Sequence, residues 1–162
     1  MVRVVFVCTG NICRSPMAEG MLRKRLYQRG VRDIRVSSMG IRGLTGSRAS
    51  EKAVMICAEH GVDISGHISR EMQPEELGES SLILGMEQVH VEYIKTFFPM
   101  ATDRTFLYGT WPELRRGNGG IADPIGRSER YYRAIFDDID RSMPEVTESV
   151  ISLRQEGEGR SA

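Results

Sequence analysis

Val2 to Cys8 (V-R-V-V-F-V-C) is almost continuously apolar and β-branched, which predicts a strand buried on both faces of a parallel sheet. A turn at Gly10 and Asn11 follows. Ser15-Pro16 then predicts a helix start, with serine as N-cap and proline at the first helical position. Met17, Ala18, Met21, Leu22 and Leu26 make that helix's apolar stripe, and Gly30 stops it. Ile34 to Ser38 reads as a second strand and Gly40 to Ser47 as a glycine-rich loop. Ser47 or Ser50 caps a helix striped by Ala49, Ala53, Ile56, Cys57 and His60 and closed by Gly61. Ser81 to Leu84 is a short strand, Gln88 to Phe98 a helix, and Thr105 to Leu107 a weaker fourth strand. Trp111 to Ala122 is an irregular loop containing Gly117, Gly119 and Gly120. The last helix repeats Ile135, Ile139, Met143, Val146, Val150 and Leu153. Pro144 falls inside it without breaking phase, so one kinked helix is expected. Residues 1–155 therefore read as one domain and 156–162 as a polar, frayed tail.

Strands alternating with helices place the chain in the α/β class, with a mostly parallel sheet and right-handed crossovers. Ligands of such sheets bind beyond the carboxyl ends of the strands, near a topological switch point. Cys8 ends the first strand and so stands in that position.

Composition narrows the choice of partner. The 162 residues carry 22 Lys and Arg against 22 Asp and Glu, so no field of one sign points to nucleic acid or an anionic membrane. No apolar run approaches the length of about 18 needed to cross a bilayer, and the apolar stretch from Met1 to Cys8 reads as too short for a signal peptide. Three cysteines, an odd number, make no disulfide framework, so a cytoplasmic protein with reduced thiols is expected.

The chemistry lies in Cys8 to Ser15, C-T-G-N-I-C-R-S, between a strand and a helix. A thiol attacks as its thiolate, which a helix N-terminus and a nearby cation favour. The following helix supplies the dipole and Arg14 the cation. The loop of Thr9, Gly10, Asn11, Ile12 and Cys13 can turn its backbone N–H groups inward as a nest for a dianion. Gly10 and Asn11 tolerate the left-handed backbone that such a loop needs. The Arg14 fork can grip two phosphate oxygens at once. Alone, Cys8 would be a buried residue ending a strand; within this spacing it is a nucleophile in an anion cradle. Neither G-x-x-x-x-G-K-[ST] nor G-x-G-x-x-G is present, which argues against a nucleotide or dinucleotide loop. Displacing an alcohol from phosphorus needs a general acid, and Asp123 in A-D-P is the candidate. Proline after it favours an extended carboxyl on a loop, although D-P alone would only start a turn.

These residues resemble the low-molecular-weight protein tyrosine phosphatases, in their bacterial form. The likeness runs from Val5 to Glu19 through V-S-S-M-G, G-H-I-S-R and L-I-L-G-M-E to A-D-P, in the family's order. It implies a three-layer fold, a four-stranded parallel sheet flanked by helices with a phosphate-binding loop after the first strand. It also implies a two-step reaction through a cysteinyl-phosphate, without metal or other cofactor. Cys8 would be the nucleophile, Arg14 the clamp, and Asp123 the acid and then the base. Ser15 would hydrogen-bond the thiolate. Asn11, Ser38 and His67 would form a network holding the loop in shape. Cys13 is a redox candidate, able in this family to pair with the nucleophile under peroxide; as a buried thiol it could equally just fill space. Cys57 is core, and neither His60 nor His90 is given a catalytic part.

Many members follow the acid with two aromatics, whereas Ile125 and Gly126 follow here, and Leu44 stands on the opposite wall. Aliphatic walls still make a slot for a ring. They resemble those of bacterial members acting on tyrosine autokinases, so the implied partners are a phosphotyrosine protein, a tyrosine autokinase among the candidates, and phosphate or other oxyanions as inhibitors. Protein arginine phosphatases share the fold and are the alternative; they typically carry threonine where Ile12 stands, which favours phosphotyrosine. Tyr131 and Tyr132 lie on the last helix, at the rim or in the core. Thiol-dependent arsenate reduction is discounted because Ser81 to Phe98 holds no relay cysteine. A phosphate-binding protein without turnover is the remaining alternative, and nothing in the sequence disables chemistry.

Overall fold

The computed structural model describes residues 1–112 and 119–159, with side chains to residue 156. The glycine-rich stretch expected near Gly117 falls in 113–118, outside the described residues. Four parallel strands, β1 (Val2–Cys8), β2 (Ile34–Gly40), β3 (Leu82–Gly85) and β4 (Thr105–Leu107), form one sheet in the order β2-β1-β3-β4. Alternation along β1 feeds two cores, as a strand buried on both faces must. Val4, Phe6 and Cys8 face the larger core, with helices α1 (Arg14–Gln28), α2 (Glu51–Glu59) and α5 (Glu129–Gly159). Val5 and Val7 face the smaller one, closed by α3 (Pro74–Glu79), α4 (Gln88–Phe97) and a 3₁₀ turn at Pro99–Arg104.

The apolar stripes read from the sequence are buried. Met17, Ala18, Met21, Leu22 and Leu26 of α1 pack against Ile135, Phe136, Ile139, Met143, Val146 and Val150 of α5. Helix α5 is continuous across Pro144, because its apolar residues stay on one face on either side of it. It runs to Gly159, into the stretch expected to fray, with Arg154 paired to Asp33 at 2.7 Å. Residues 160–162 lie outside the described residues.

The structure departs from the expectation at the start of α1 and in two short added segments, and it decides between the two serines offered as the cap of α2. Ser15 is not an N-cap: α1 begins at Arg14, with Cys13 as the capping residue and no side-chain cap. Pro16 thus sits deeper in the first turn, where its missing N–H costs no helical bond. Ser50, not Ser47, caps α2, accepting from the Ala53 N–H at 3.3 Å. Helix α3 and the 3₁₀ turn were not expected, since each is a single short segment with one buried apolar residue, Leu77 or Ala101, and no period to read. Among the described residues no helix is long and apolar enough to cross a membrane.

The chain passes from β1 to β2 on one side and then to β3 on the other, so the switch point lies between β1 and β3. Both strands point their carboxyl ends, Cys8 and Gly85, at the same crevice. Phe6, fully buried in the larger core and 6.1 Å from the Tyr108 ring, tests this packing. Phe6→Ala should lower the unfolding free energy by about 3–5 kcal/mol, measured by urea titration.

Candidate active site

The loop after β1 is defined by where its carbonyls go. Cys8 O accepts from Ile41 N at 3.0 Å, Thr9 O from Arg42 N at 3.0 Å, and Gly10 O from Leu44 N at 3.3 Å. Asn11 O accepts from His67 Nε2 at 2.8 Å, Ile12 O from Ser50 N at 2.8 Å, and Cys13 O from Met17 N at 3.2 Å. Every carbonyl from Cys8 to Cys13 is thus held by a neighbour. No backbone N–H from Thr9 to Ser15 donates to a described residue. Because each peptide unit is planar and trans, carbonyls drawn outward turn the N–H groups inward, towards a concave centre. Asn11 completes the curve at φ 56°, the single non-glycine residue with positive φ among those described.

Asn11 is fully buried and its side chain sets the proton order around it. Its Oδ1 accepts from the Arg70 backbone N–H at 3.0 Å, which fixes the amide orientation. Nδ2 then donates to Ser15 Oγ at 2.9 Å and to Ser38 Oγ at 2.8 Å. Both serine oxygens being acceptors, their own protons must point elsewhere. Ser38 donates to Glu19 Oε2 at 2.5 Å, and Ser15 lies 2.9 Å from Cys8 Sγ. Ser15 is therefore the donor to the Cys8 sulfur, a favourable partner for a thiolate. His67 reinforces the network from behind, its Nδ1 4.0 Å from Glu19 Oε2.

Arg14 is 1 % exposed, and such a charge must be paired. Its Nη1 donates to Glu87 and to Ile121 O (2.8 Å). That leaves the side-on edge: Nη2 lies 3.2 Å from Asp123 Oδ2, and the buried Nε has no partner among the described residues. This Nε/Nη2 pair is the fork that fits two oxygens of one anion. Asp123 also accepts from Ile125 N at 3.1 Å through Oδ1, which sets its carboxyl on the D-P-I-G turn. Cys8, Arg14, Asp123, Ile12, Leu44 and Ile125 converge on one cavity of about 210 Å³. Leu44 and Ile125, each about half exposed, stand at its mouth.

The family model of the low molecular weight phosphotyrosine protein phosphatases matches residues 3–156. The chain belongs to this family. It is 34% identical over 142 residues to the low molecular weight protein-tyrosine-phosphatase Etp of Escherichia coli K12, covering 88% of this chain and 90% of that protein. It is also 34% identical over 149 residues to a protein-arginine-phosphatase of Geobacillus stearothermophilus, covering 91% and 95%. The crystal structure of the Erwinia amylovora tyrosine phosphatase AmsI superposes with a TM-score of 0.82 at 29% identity, over 92% of this chain and 93% of that one. Family membership thus agrees with the resemblance in the motifs and with the four-stranded fold, and the relatives include phosphatases of both kinds.

The structure gathers the residues singled out in the sequence. Thr9 to Ser15 form the loop, Ser38 and His67 lie behind it through Asn11, and Cys57 is buried in the core. Burial pushes the Cys57 thiol up to about 12. Cys13 is also raised by burial, against hydrogen bonds with Ser50 and Tyr132 that lower it. The three side chains form a closed triangle: Cys13 Sγ to Ser50 Oγ 3.4 Å, Ser50 Oγ to Tyr132 Oη 3.3 Å, and Tyr132 Oη to Cys13 Sγ 3.2 Å. Tyr132 is therefore core behind the loop, while Tyr131 is half-buried beside the Arg127 guanidinium. A larger cavity of about 700 Å³ lies on the far side of the network, around Glu19, Arg23, Lys24, Tyr27 and His67. It contains neither Cys8 nor Arg14, both of which line the smaller cavity and make that one the candidate site.

Sequence reasoning missed Glu19, Arg70 and Glu87, and it gave His90 no catalytic part without seeing its supporting one; Glu87 and His90 stand together. The last two belong to a capping box at the start of α4: His90 Nδ1 accepts from Glu87 N at 2.9 Å. With Nδ1 an acceptor, the neutral ring carries its proton on Nε2 and donates to Thr9 Oγ1 at 2.9 Å. The E-x-x-H spacing before an apolar run was the available signal. Burial, and then the Arg14 charge, push His90 down to about 4. Below pH 6.5 an unfolded histidine takes up a proton that folded His90 refuses. Its share of stability is therefore complete above about pH 6.5 and is lost as pH falls towards 4. His90→Gln should flatten the difference in unfolding free energy between pH 7 and pH 4.5. Asn11→Ala, which forfeits the buried network and keeps the positive φ, should cost about 2–3 kcal/mol at pH 7.

Proposed function

We propose that this protein hydrolyses phosphotyrosine in proteins through a cysteinyl-phosphate, with Cys8 as nucleophile, Arg14 as clamp and Asp123 as general acid and base. One observation carries the reading: a thiol at the base of a loop whose N–H groups face inward, beside an arginine whose buried Nε has no partner among the described residues. The loop amides and the Arg14 fork hold the phosphoryl oxygens and stabilise the charge that builds on them in the transition state. Cys8 Sγ attacks phosphorus; the S–P bond forms as the bond to the tyrosine oxygen breaks. Asp123 delivers a proton to that oxygen. Asp123 as carboxylate then takes a proton from water, which attacks the same phosphorus and releases the thiolate. The Ser15 hydroxyl, kept as a donor by Asn11, supports the thiolate as it leaves.

Cys13 is the candidate resolving thiol: a sulfenic acid formed on Cys8 by peroxide would condense with it and release water. The substrate would be a phosphotyrosine protein, a tyrosine autokinase among the candidates, met in the cytoplasm. The arginine alternative draws on the Geobacillus stearothermophilus relative. It is the weaker reading because Ile12, Leu44 and Ile125 wall the cavity with aliphatic surface, which suits an aryl ring better than the N–H groups of a guanidino group.

Cys8→Ser should abolish turnover and still bind phosphate, measured by steady-state kinetics and calorimetry. Arg14→Lys should fail as well, because an ammonium cannot reproduce the two-pronged grip. Asp123→Ala should slow a phosphotyrosine peptide by about 10²–10³-fold and an activated aryl phosphate far less. Equal losses on both substrates would remove Asp123 from the acid role. Vanadate should compete with substrate, and a chelator should leave the rate unchanged.

A further inference from the structure

Arg42, which the chemistry above leaves idle, lines the same cavity as Cys8, Arg14 and Asp123. It is exposed, and its side chain has no hydrogen bond or ion pair among the described residues. Its backbone, by contrast, is tightly registered. Beyond β2 the chain runs on beside the loop, with Ile41, Arg42 and Leu44 donating to the carbonyls of Cys8, Thr9 and Gly10. The next residue, Gly43, passes so close to the Arg70 backbone that a Cβ there would lie 2.2 Å from its carbonyl oxygen. Arg42 is thus an exposed cation on a fixed stem at the pocket.

We infer that Arg42 is a specificity-determining residue, selecting aryl phosphates over guanidino phosphates. The inference rests on the phosphotyrosine reading and names one of its causes. The two substrates present the same phosphoryl group and differ in what joins it to the chain. Phosphotyrosine brings a neutral ring, over which a planar guanidinium stacks with its charge against the π face. Phosphoarginine brings a guanidino group that keeps a positive charge, and Arg42 repels it. The carboxyl group that lines the cavity, Asp123, is the proton donor in the first step and so brings no negative charge to offset this repulsion. Arg42 therefore supplies a flat partner in a pocket whose other walls are aliphatic, and it raises a barrier of like charge against the competitor.

The test compares kcat/KM for a phosphotyrosine and a phosphoarginine peptide of matched sequence, with Cys8→Ser as blank. The unsubstituted protein should prefer phosphotyrosine. In Arg42→Met, which keeps the length and removes the charge, the preference should fall about tenfold, by loss on phosphotyrosine and gain on phosphoarginine. Arg42→Lys keeps the charge and loses the plane, so its preference should fall only about threefold. Raising the salt concentration should shrink the gain on phosphoarginine more than the loss on phosphotyrosine. A preference unchanged in Arg42→Met, or equal losses on both substrates, would overturn the role of Arg42 alone. A preference for phosphoarginine in the unsubstituted protein would instead overturn the substrate reading on which it rests.

Discussion

The outward tether of the loop carbonyls is the constraint on which the site depends. A chain turning this tightly would ordinarily point its peptide units in mixed directions. Here each carbonyl from Cys8 to Cys13 meets a donor supplied by the extension of β2, by His67, by Ser50 or by the first turn of α1. With the oxygens spoken for, planar peptide units leave the N–H groups one direction to face. The anion nest is then a by-product of satisfied hydrogen bonds rather than a strained device held open at cost. The one residue that pays in backbone conformation is Asn11, and its side chain binds Ser15, Ser38 and Arg70 in return.

The same logic governs charge. A buried guanidinium is tolerable only with partners, and Arg14 finds Glu87 and Ile121 O on one edge. That pairing immobilises the group and orients the other edge towards the pocket. His90, neutral because it is buried next to Arg14, keeps its proton on Nε2 and steadies Thr9. One short segment at the start of α4 thereby holds both Arg14 and Thr9, the first residue of the loop. It reaches them because β3 lies next to β1 across the switch point, so both strands deliver their ends to one crevice.

Local signals were legible in the sequence and long-range ones were not. The strand at Val2–Cys8, the stripes of α1 and α5 and the Cys8-to-Ser15 spacing each lie within one stretch of chain. Ser38 and His67 came only from resemblance, because no spacing shows that they meet Asn11. Glu87 and His90 depend on the strand order, which no single strand announces. Glu19 reads as an ordinary polar position on α1, yet it accepts from Ser38 inside the fold. Ser15 shows how a local rule yields to a site: a residue type suited to capping is spent on Cys8 and Asn11 instead. Arg42 has no signature at all, since its position at the pocket follows from the register between β2 and the loop.

A loop with its N–H groups turned inward should be a ready-made receptor for a phosphoryl dianion. The direct measurement is a titration of Cys8→Ser with inorganic phosphate, following backbone amide resonances by heteronuclear NMR. The amides of residues 9–15 and the Arg14 Nε–H should move together and saturate at one dissociation constant. Shifts confined to residues around the larger cavity, such as Arg23 and Lys24, with the loop amides unmoved, would contradict it.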